Sequence, residues 1–103
     1  MKPRTLTQII DKKRYDTNKA VLLSGDDYWD GQNFERGGRN TFLYKTINGN
    51  YFAACLTCRK GESDNLKPLS QDEAIEMFEE HMSYGENRVT FEDAFPFVEV
   101  EEA

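Results

Sequence analysis

The sequence has little of several features that mark common protein classes. Its two cysteines, Cys55 and Cys58, are too few for the disulfide scaffold of a small secreted domain, so we expect two free thiols. It has no apolar run of the ~20 residues that a membrane helix needs, and its first residues do not form the apolar core of a signal peptide. We therefore expect a cytoplasmic protein without membrane association.

Basic residues are in the minority: 13 Lys and Arg stand against 19 Asp and Glu, for a formal net charge of −6. This balance disfavours direct contact with nucleic-acid phosphates and favours a basic protein partner, although a net negative charge also serves ordinary solubility. The chain has 103 residues, of which 13% are aromatic, so we expect one folded domain spanning residues 1–103.

The N-terminal third predicts extended structure. Thr5 to Ile10 and Arg14 to Thr17 flank a polar turn, which is the pattern of a β-hairpin. Lys19 to Leu23 contains a short apolar run between turn-forming residues, and we interpret it as a buried strand.

The strongest pattern is a second hairpin over residues 41–58. Thr41–Thr46 and Tyr51–Cys58 are rich in aromatic and β-branched residues, and Asn48-Gly49 between them predicts a two-residue type I′ turn. That turn would place Phe42 opposite Cys55. Both faces carry apolar groups, so we expect a central hairpin with a helix on one face and the termini or residues 25–40 on the other.

One main helix is predicted over residues 71–83. Ser70 and Glu73 form a capping box, and Tyr84-Gly85 provides the stop. Thr90 is expected to cap a helical turn that ends at Pro96, and Phe97–Val100 alternates like an edge strand. The predicted fold is therefore α+β, a small antiparallel sheet of about four or five strands packed against one helix. The apolar stripe of that helix comprises Ala74, Met77, Phe78, His81 and Met82.

No pattern in the sequence predicts a catalytic residue, a metal or a cofactor. Cys55 and Cys58 have the spacing of half a zinc site, but strand residues three apart point to opposite faces. His81, the one histidine, belongs to the helix stripe. Residues 26–37 resemble a calcium loop, yet Tyr28 and Gly37 stand where acidic ligands are required. We expect a protein that is not an enzyme.

Residues 25–40 read as a long irregular loop, a feature that is often functional. Its rings lie among carboxylates, which is typical of protein-interface anchors, but the same rings equally suit a cover for the open sheet face. A protein partner with a basic surface is expected here, with the chain itself a monomer or weak homodimer. The candidate binding residues are Asp26, Asp27, Tyr28, Trp29, Asp30, Phe34, Glu35, Arg36 and Arg39.

A second hypothesis is a nucleic-acid-binding accessory domain. It depends on basic residues near the hairpin ends, with rings close by. These residues are Arg36, Arg39, Lys45, Arg59 and Lys60.

Eight segments carry a resemblance: Arg14–Thr17, Gly38–Thr41, Leu43–Thr46, Gly49–Phe52, Leu56–Thr57, Gly61–Glu62, Leu69–Ser70 and Glu73–Ala74. Together they resemble a family of short bacterial and archaeal proteins that are often found near mobile elements. The resemblance spans about Arg14 to Phe95 and implies no activity or site residue. Small size and acidity are also similar in type to phage-encoded anti-CRISPR proteins, which implies an inhibitor of a basic, nucleic-acid-binding host defence protein.

Overall fold

The described part of the chain forms six strands and two helices, which make an α+β fold as the sequence predicts. The computed structural model describes residues 4–26, 39–58, 60–83 and 85–103. A short 3₁₀ turn, Thr17–Lys19, links the second and third strands. In chain order the elements are β1 (Thr7–Ile10), β2 (Lys13–Asp16), β3 (Ala20–Gly25), β4 (Arg39–Thr46), β5 (Tyr51–Thr57), β6 (Asn65–Leu69), α1 (Gln71–Ser83) and α2 (Phe91–Ala94).

The elements form three layers. The central layer is a four-stranded antiparallel sheet in the order β3-β4-β5-β6. β1 and β2 pair only with each other and cover one face of this sheet, which we call the hairpin face. α1 and α2 cover the opposite face, which we call the helix face.

Aromatic rings fill the space between the N-terminal hairpin (β1 and β2) and the hairpin face of the sheet. Tyr15 of β2 meets the ring of Phe52 edge-on at 5.4 Å, and Tyr44 stacks on Phe52 at 5.2 Å between ring centroids. Phe42 and Leu56 complete this cluster and are buried. Tyr15 is thus the main side chain with which the N-terminal hairpin packs against the sheet.

A second ring cluster joins the sheet to the helices. Phe78 of α1 packs edge-on against Phe95 at 5.6 Å and against Phe91 at 6.0 Å. The ring of Tyr51 lies 5.0 Å from that of Phe95, and its hydroxyl donates to the Ala94 carbonyl at 2.8 Å. α2 is therefore held to the sheet by both packing and a buried hydrogen bond.

The limits of α1 follow from its capping residues, as predicted. The Ser70 backbone N–H donates to the Glu73 carboxylate at 2.9 Å, and the Glu73 N–H donates to Ser70 Oγ at 3.1 Å. The first of these bonds lowers the pKa of Glu73. Gly85, at φ +69°, ends the helix, with its N–H on the Met82 carbonyl at 3.0 Å. Neither helix in the described part of the chain has the length and hydrophobicity required to cross a membrane.

The predicted turn type of the central hairpin is wrong. The turn between β4 and β5 is a three-residue loop of residues 47–49, because Thr46 and Asn50 still lie opposite each other. The Thr46 N–H donates to the Asn50 carbonyl at 2.8 Å, and Lys45 pairs with Tyr51. Only Gly49 in this loop takes a positive φ, +84°, which is the common three-residue hairpin geometry.

The strand register therefore differs by one residue from the prediction, and every side chain of one strand moves to the other face. Phe42 lies opposite Ala54 rather than Cys55, and Tyr44 lies opposite Phe52. The type I′ geometry instead occurs between β1 and β2, where Asp11 and Lys12 have φ of 51° and 66°.

Three further expectations about the strands need correction. β6, with Pro68 in an edge strand, was not predicted, whereas Phe97–Val100 forms no strand. The predicted loop over residues 25–40 is too long, because Gly25 belongs to β3 and Arg39 begins β4.

Candidate functional site

Most of the predicted binding residues lie outside the described residues. These are Asp27, Tyr28, Trp29, Asp30, Phe34, Glu35 and Arg36. The interface that the sequence predicts for them stays a prediction. The structure describes Asp26 and Arg39, which stand at the two ends of this segment.

Asp26 has a structural role at the end of β3. Its Oδ1 accepts from the Thr41 N–H at 2.7 Å and from the Asn40 side-chain amide at 3.1 Å. Its own N–H donates to the Thr41 carbonyl at 3.1 Å, which extends the pairing of β3 with β4. Asp26 thus links the end of β3 to the start of β4.

Arg39 is engaged in a two-point ion pair. Its Nε donates to Glu62 Oε1 at 3.1 Å and its Nη2 contacts Glu62 Oε2, while Thr57 Oγ1 also donates to this carboxylate at 2.7 Å. The Glu62 carboxylate raises the pKa of Arg39. The pair borders a polar cavity of about 550 Å³ that Cys55 also lines.

The two cysteines are free thiols, with Cys55 half-buried and Cys58 exposed. Burial raises the pKa of Cys55, and the nearby Lys67 partly offsets that effect. Within residues 4–26, 39–58, 60–83 and 85–103, no three His, Cys, Asp or Glu side chains are grouped as a metal site requires.

A buried serine–histidine contact lies between the sheet and α1. Ser24 Oγ and His81 Nδ1 are 2.6 Å apart, and Ser24 has no exposed surface while His81 is 6% exposed. A β-bulge between Leu22 and Ser24 brings Ser24 opposite Leu43, on the helix face. A nucleophile must reach solvent or substrate, so we interpret this contact as a link between β3 and α1. Sequence spacing gave no means of pairing these two residues.

Charge is divided between the two faces of the sheet. Residues 71–103, which include α1 and α2, contain eleven of the 19 acidic residues and one of the 13 basic residues, Arg88. Residues 4–20, which include β1 and β2, have a basic excess instead. Their basic residues are Arg4, Lys12, Lys13, Arg14 and Lys19, against Asp11 and Asp16.

The helix face contains an apolar groove with an acidic rim, which we call the acidic groove. It has a volume of about 490 Å³ and lies between α1, α2 and the C-terminal segment. Met82 is 44% exposed and Val100 59% exposed, which is unusual for large apolar side chains. The floor comprises Ile75, Met82, Phe91, Val98 and Val100, and the rim comprises Glu79, Glu92 and Glu99.

The rim carboxylates are free to meet a ligand. Glu79, Glu92 and Glu99 are exposed, and none of them forms an ion pair within the described part of the chain. Three like charges around one apolar floor produce a local negative potential that attracts cations. The acidic groove therefore presents apolar contact and negative charge together.

Comparisons with protein-family models, curated proteins and solved structures find no match to this chain. The family resemblance of the sequence segments therefore stays a prediction, and the functional argument depends on the chemistry of the two faces.

Proposed function

We propose that this protein is a protein-binding module whose acidic groove holds a basic, amphipathic segment of its partner. The observation that carries this proposal is the combination of exposed apolar side chains and unpaired carboxylates in one groove. Helix-in-groove recognition uses this combination, with apolar anchors in the groove and charges at its margin.

The apolar floor supplies the binding energy. Met82 and Val100 expose large parts of their surface, and covering an apolar side chain completely contributes about 1.5–3 kcal/mol. Because both side chains are already partly covered, a partner side chain gains less than this from each. Because association itself costs several kcal/mol, several anchors together with the rim contacts are needed for measurable affinity.

The acidic rim supplies selectivity and association rate. A Lys or Arg beside each anchor would meet Glu79, Glu92 or Glu99, each contact contributing about 0.2–1 kcal/mol at an exposed position. An acidic or neutral amphipathic segment would gain the apolar contacts without the ionic ones. The groove thus favours basic partners, as the net charge of the sequence predicts.

The narrower role, inhibition of a basic nucleic-acid-binding defence protein, stays a prediction that the groove chemistry supports. Any contribution of Trp29 and its neighbours also stays a prediction. The hypothesis of nucleic-acid binding near Arg39 has less support, because Glu62 already neutralises that guanidinium.

The test is a titration with a synthetic amphipathic helix of leucine and lysine, followed by calorimetry. Substitution of Glu79, Glu92 and Glu99 by Gln removes three contacts of about 0.5 kcal/mol each, so we expect about tenfold weaker binding. The matched control substitutes Glu76, Glu80 and Glu101 by Gln, which changes the net charge equally outside the groove, and we expect about wild-type affinity.

A second pair of measurements separates the apolar contribution from the charge. Met82→Ser with Val100→Ser leaves all charges in place, and we expect at least tenfold weaker peptide binding. A peptide with glutamine in place of leucine is expected to bind neither protein well. Equal loss in the groove and control charge variants, or full binding by the Met82→Ser/Val100→Ser variant, would contradict the proposal. Loss on Trp29→Ala alone would place the site in the 27–38 segment.

A further inference from the structure

We propose that the hairpin face is a second binding surface, which contacts the phosphate backbone of nucleic acid. This inference does not depend on the acidic groove. It rests on exposed cations and two small clefts at the edge where β2 meets the turn between β4 and β5.

The cations of this face are available for a ligand. Lys12, Lys13, Arg14 and Lys19 are all exposed, and none of them has an ion-pair partner in the described ranges. One nearby carboxylate, that of Asp16, accepts a hydrogen bond from the Asn18 N–H at 2.9 Å. Asp11, at the hairpin turn, is the other acidic residue in this stretch. Four cations against two carboxylates leave a local positive charge.

Two small clefts adjoin these cations. One, of about 210 Å³, is lined by the cations of Arg14 and Lys19 and also by the Asp16 carboxylate. The other, of about 220 Å³, lies between Lys13, Arg14 and Asn50 and has no acidic residue in its lining. Arg14 therefore lines both clefts. Arg, Lys, Asn and Thr side chains are the ordinary donors to phosphate oxygens, and Thr46 lines both clefts as well. Neighbouring clefts with a shared guanidinium suit a ligand that carries repeated phosphates.

The composition of this surface favours nucleic acid over an acidic protein. Protein interfaces depend on buried aromatic and apolar anchors, as the acidic groove provides. At the two clefts the exposed apolar side chain is Ile47, at the tip of the turn, and the remaining lining is polar or charged apart from the Tyr15 ring. Contacts of this kind give backbone binding without base readout.

The overall charge of −6 does not preclude this binding, because eleven of the 19 acidic residues belong to residues 71–103, which include the two helices on the opposite side of the sheet. Two layer spacings of about 10 Å separate the hairpin layer from the helix layer. This separation exceeds the Debye length of about 8 Å at physiological ionic strength, so the helix-face charges are largely screened at the hairpin face.

The test measures binding of a fluorescent DNA duplex by anisotropy between about 50 and 200 mM salt. With three or four phosphates neutralised, the slope of log K against log salt is expected to be about −3. Arg14→Gln with Lys19→Gln is expected to weaken binding at least tenfold at low salt and to reduce the slope by about 2. The matched control, Lys60→Gln with Lys67→Gln, removes the same charge elsewhere and is expected to bind like wild type.

Three results would overturn the proposal. One is no duplex binding at about 50 mM salt. Another is equal loss in the Arg14→Gln/Lys19→Gln variant and its control, which would show dependence on net charge alone. The third is competition by poly-glutamate as effective as competition by unlabelled duplex, which would assign the face to acidic proteins. Circular dichroism of each variant checks that it is folded.

Discussion

The two faces of the central sheet carry opposite charge and offer different kinds of contact. The helix face has an acidic groove with an apolar floor, formed by α1, α2 and the C-terminal segment. The hairpin face has exposed cations around two small clefts, whose lining residues are mostly charged, Asn or Thr. The sheet thus separates an acidic surface from a basic one. The net charge of the whole chain reflects the sum of the two and therefore predicts the local charge of neither.

The two covers also differ in how firmly they are attached. α1 and α2 share a ring cluster with the sheet, and the chain enters α1 directly from β6 through Ser70. The N-terminal hairpin forms its own two-stranded sheet and joins the central one through Tyr15, a bond from the Leu66 N–H to Gln8 Oε1 at 3.0 Å, and the Arg4–Asp64 ion pair. Since an isolated two-stranded hairpin is marginally stable, we expect this cover to open first.

The largest expected effect is on the helix face. Phe78→Ala removes a fully buried ring that contacts both Phe91 and Phe95. We expect it to lower the free energy of unfolding by about 3–5 kcal/mol in a urea titration. Amides throughout the sheet should then exchange faster, because this cover opens only with the whole domain. A loss below about 1 kcal/mol would show that the cluster is not the main core.

On the hairpin face, Tyr15→Ala should act more locally. We expect a loss of about 2–3 kcal/mol, since Tyr15 packs edge-on against Phe52. Amides of β1 and β2 should exchange much faster while those of β4 and β5 keep most of their protection. Uniform acceleration of all amides would show instead that the hairpin is integral to the cooperative unit.

Gly25→Ala tests the packing beneath the hairpin. A Cβ at this position would lie 2.3 Å from Cδ1 of Phe42, a ring with no exposed surface. Overpacking of this kind should cost about 1–3 kcal/mol in chemical denaturation. When Phe42→Leu is combined with Gly25→Ala, the smaller side chain leaves room for the added Cβ. The double variant should therefore be more stable than the sum of the two single effects predicts. Strict additivity would contradict the contact.

Lys12→Gly separates folding from binding at the basic hairpin. Lys12 has φ 66° at the second turn position, where glycine is preferred, so its replacement should stabilise the fold by about 0.5–1 kcal/mol. The same change removes one cation, so the salt slope for duplex binding should fall by about 1. Lys12→Gln should weaken binding equally without stabilising the fold. A loss of stability in Lys12→Gly would contradict the turn geometry.

The smallest effect concerns the link between hairpin and sheet. The Thr57 N–H, at 2.8 Å, and secondarily Arg4 hold the pKa of Asp64 below its ordinary value. The stabilisation that ionised Asp64 gives to the folded protein is therefore complete above the ordinary Asp pKa of about 3.9. It disappears as the pH falls through the lower pKa that Asp64 has in the folded state. The difference in unfolding free energy between wild type and Asp64→Asn should be about 1 kcal/mol or less at neutral pH and should vanish in strong acid.

A control for this measurement is Arg4→Gln, which removes the ion pair but keeps the Thr57 hydrogen bond. It should retain most of the pH dependence. A wild-type advantage that grows as the pH falls would contradict the assignment.

Local signals predict much of this fold. The Ser70–Glu73 box and Gly85 define α1 because caps depend on residues that are close in sequence. Asn48-Gly49 correctly indicates a hairpin but not its register, since glycine serves both the two-residue and the three-residue loop. β6 is difficult to predict from the sequence because it contains Pro68, and proline is unfavourable in strands other than edge strands.

The two proposed binding faces are harder to predict because they depend on tertiary structure. Ile75 of α1 and Val100 both line the acidic groove, because the chain after α2 packs beside α1. No local sequence pattern predicts that contact. The sequence does contain one relevant signal, the concentration of acidic residues after Gln71. The net charge of the whole chain does not show where along the sequence these acidic residues lie.

The most direct test of the account is an NMR map of amide chemical shifts, recorded with each probe in turn on the same labelled protein. We predict that the leucine–lysine peptide shifts amides of α1, α2 and residues 98–100, and that the duplex shifts amides of residues 12–19 and 46–50. Shifts by both probes on one face, or by the peptide on the hairpin face, would contradict the division of binding between the two faces.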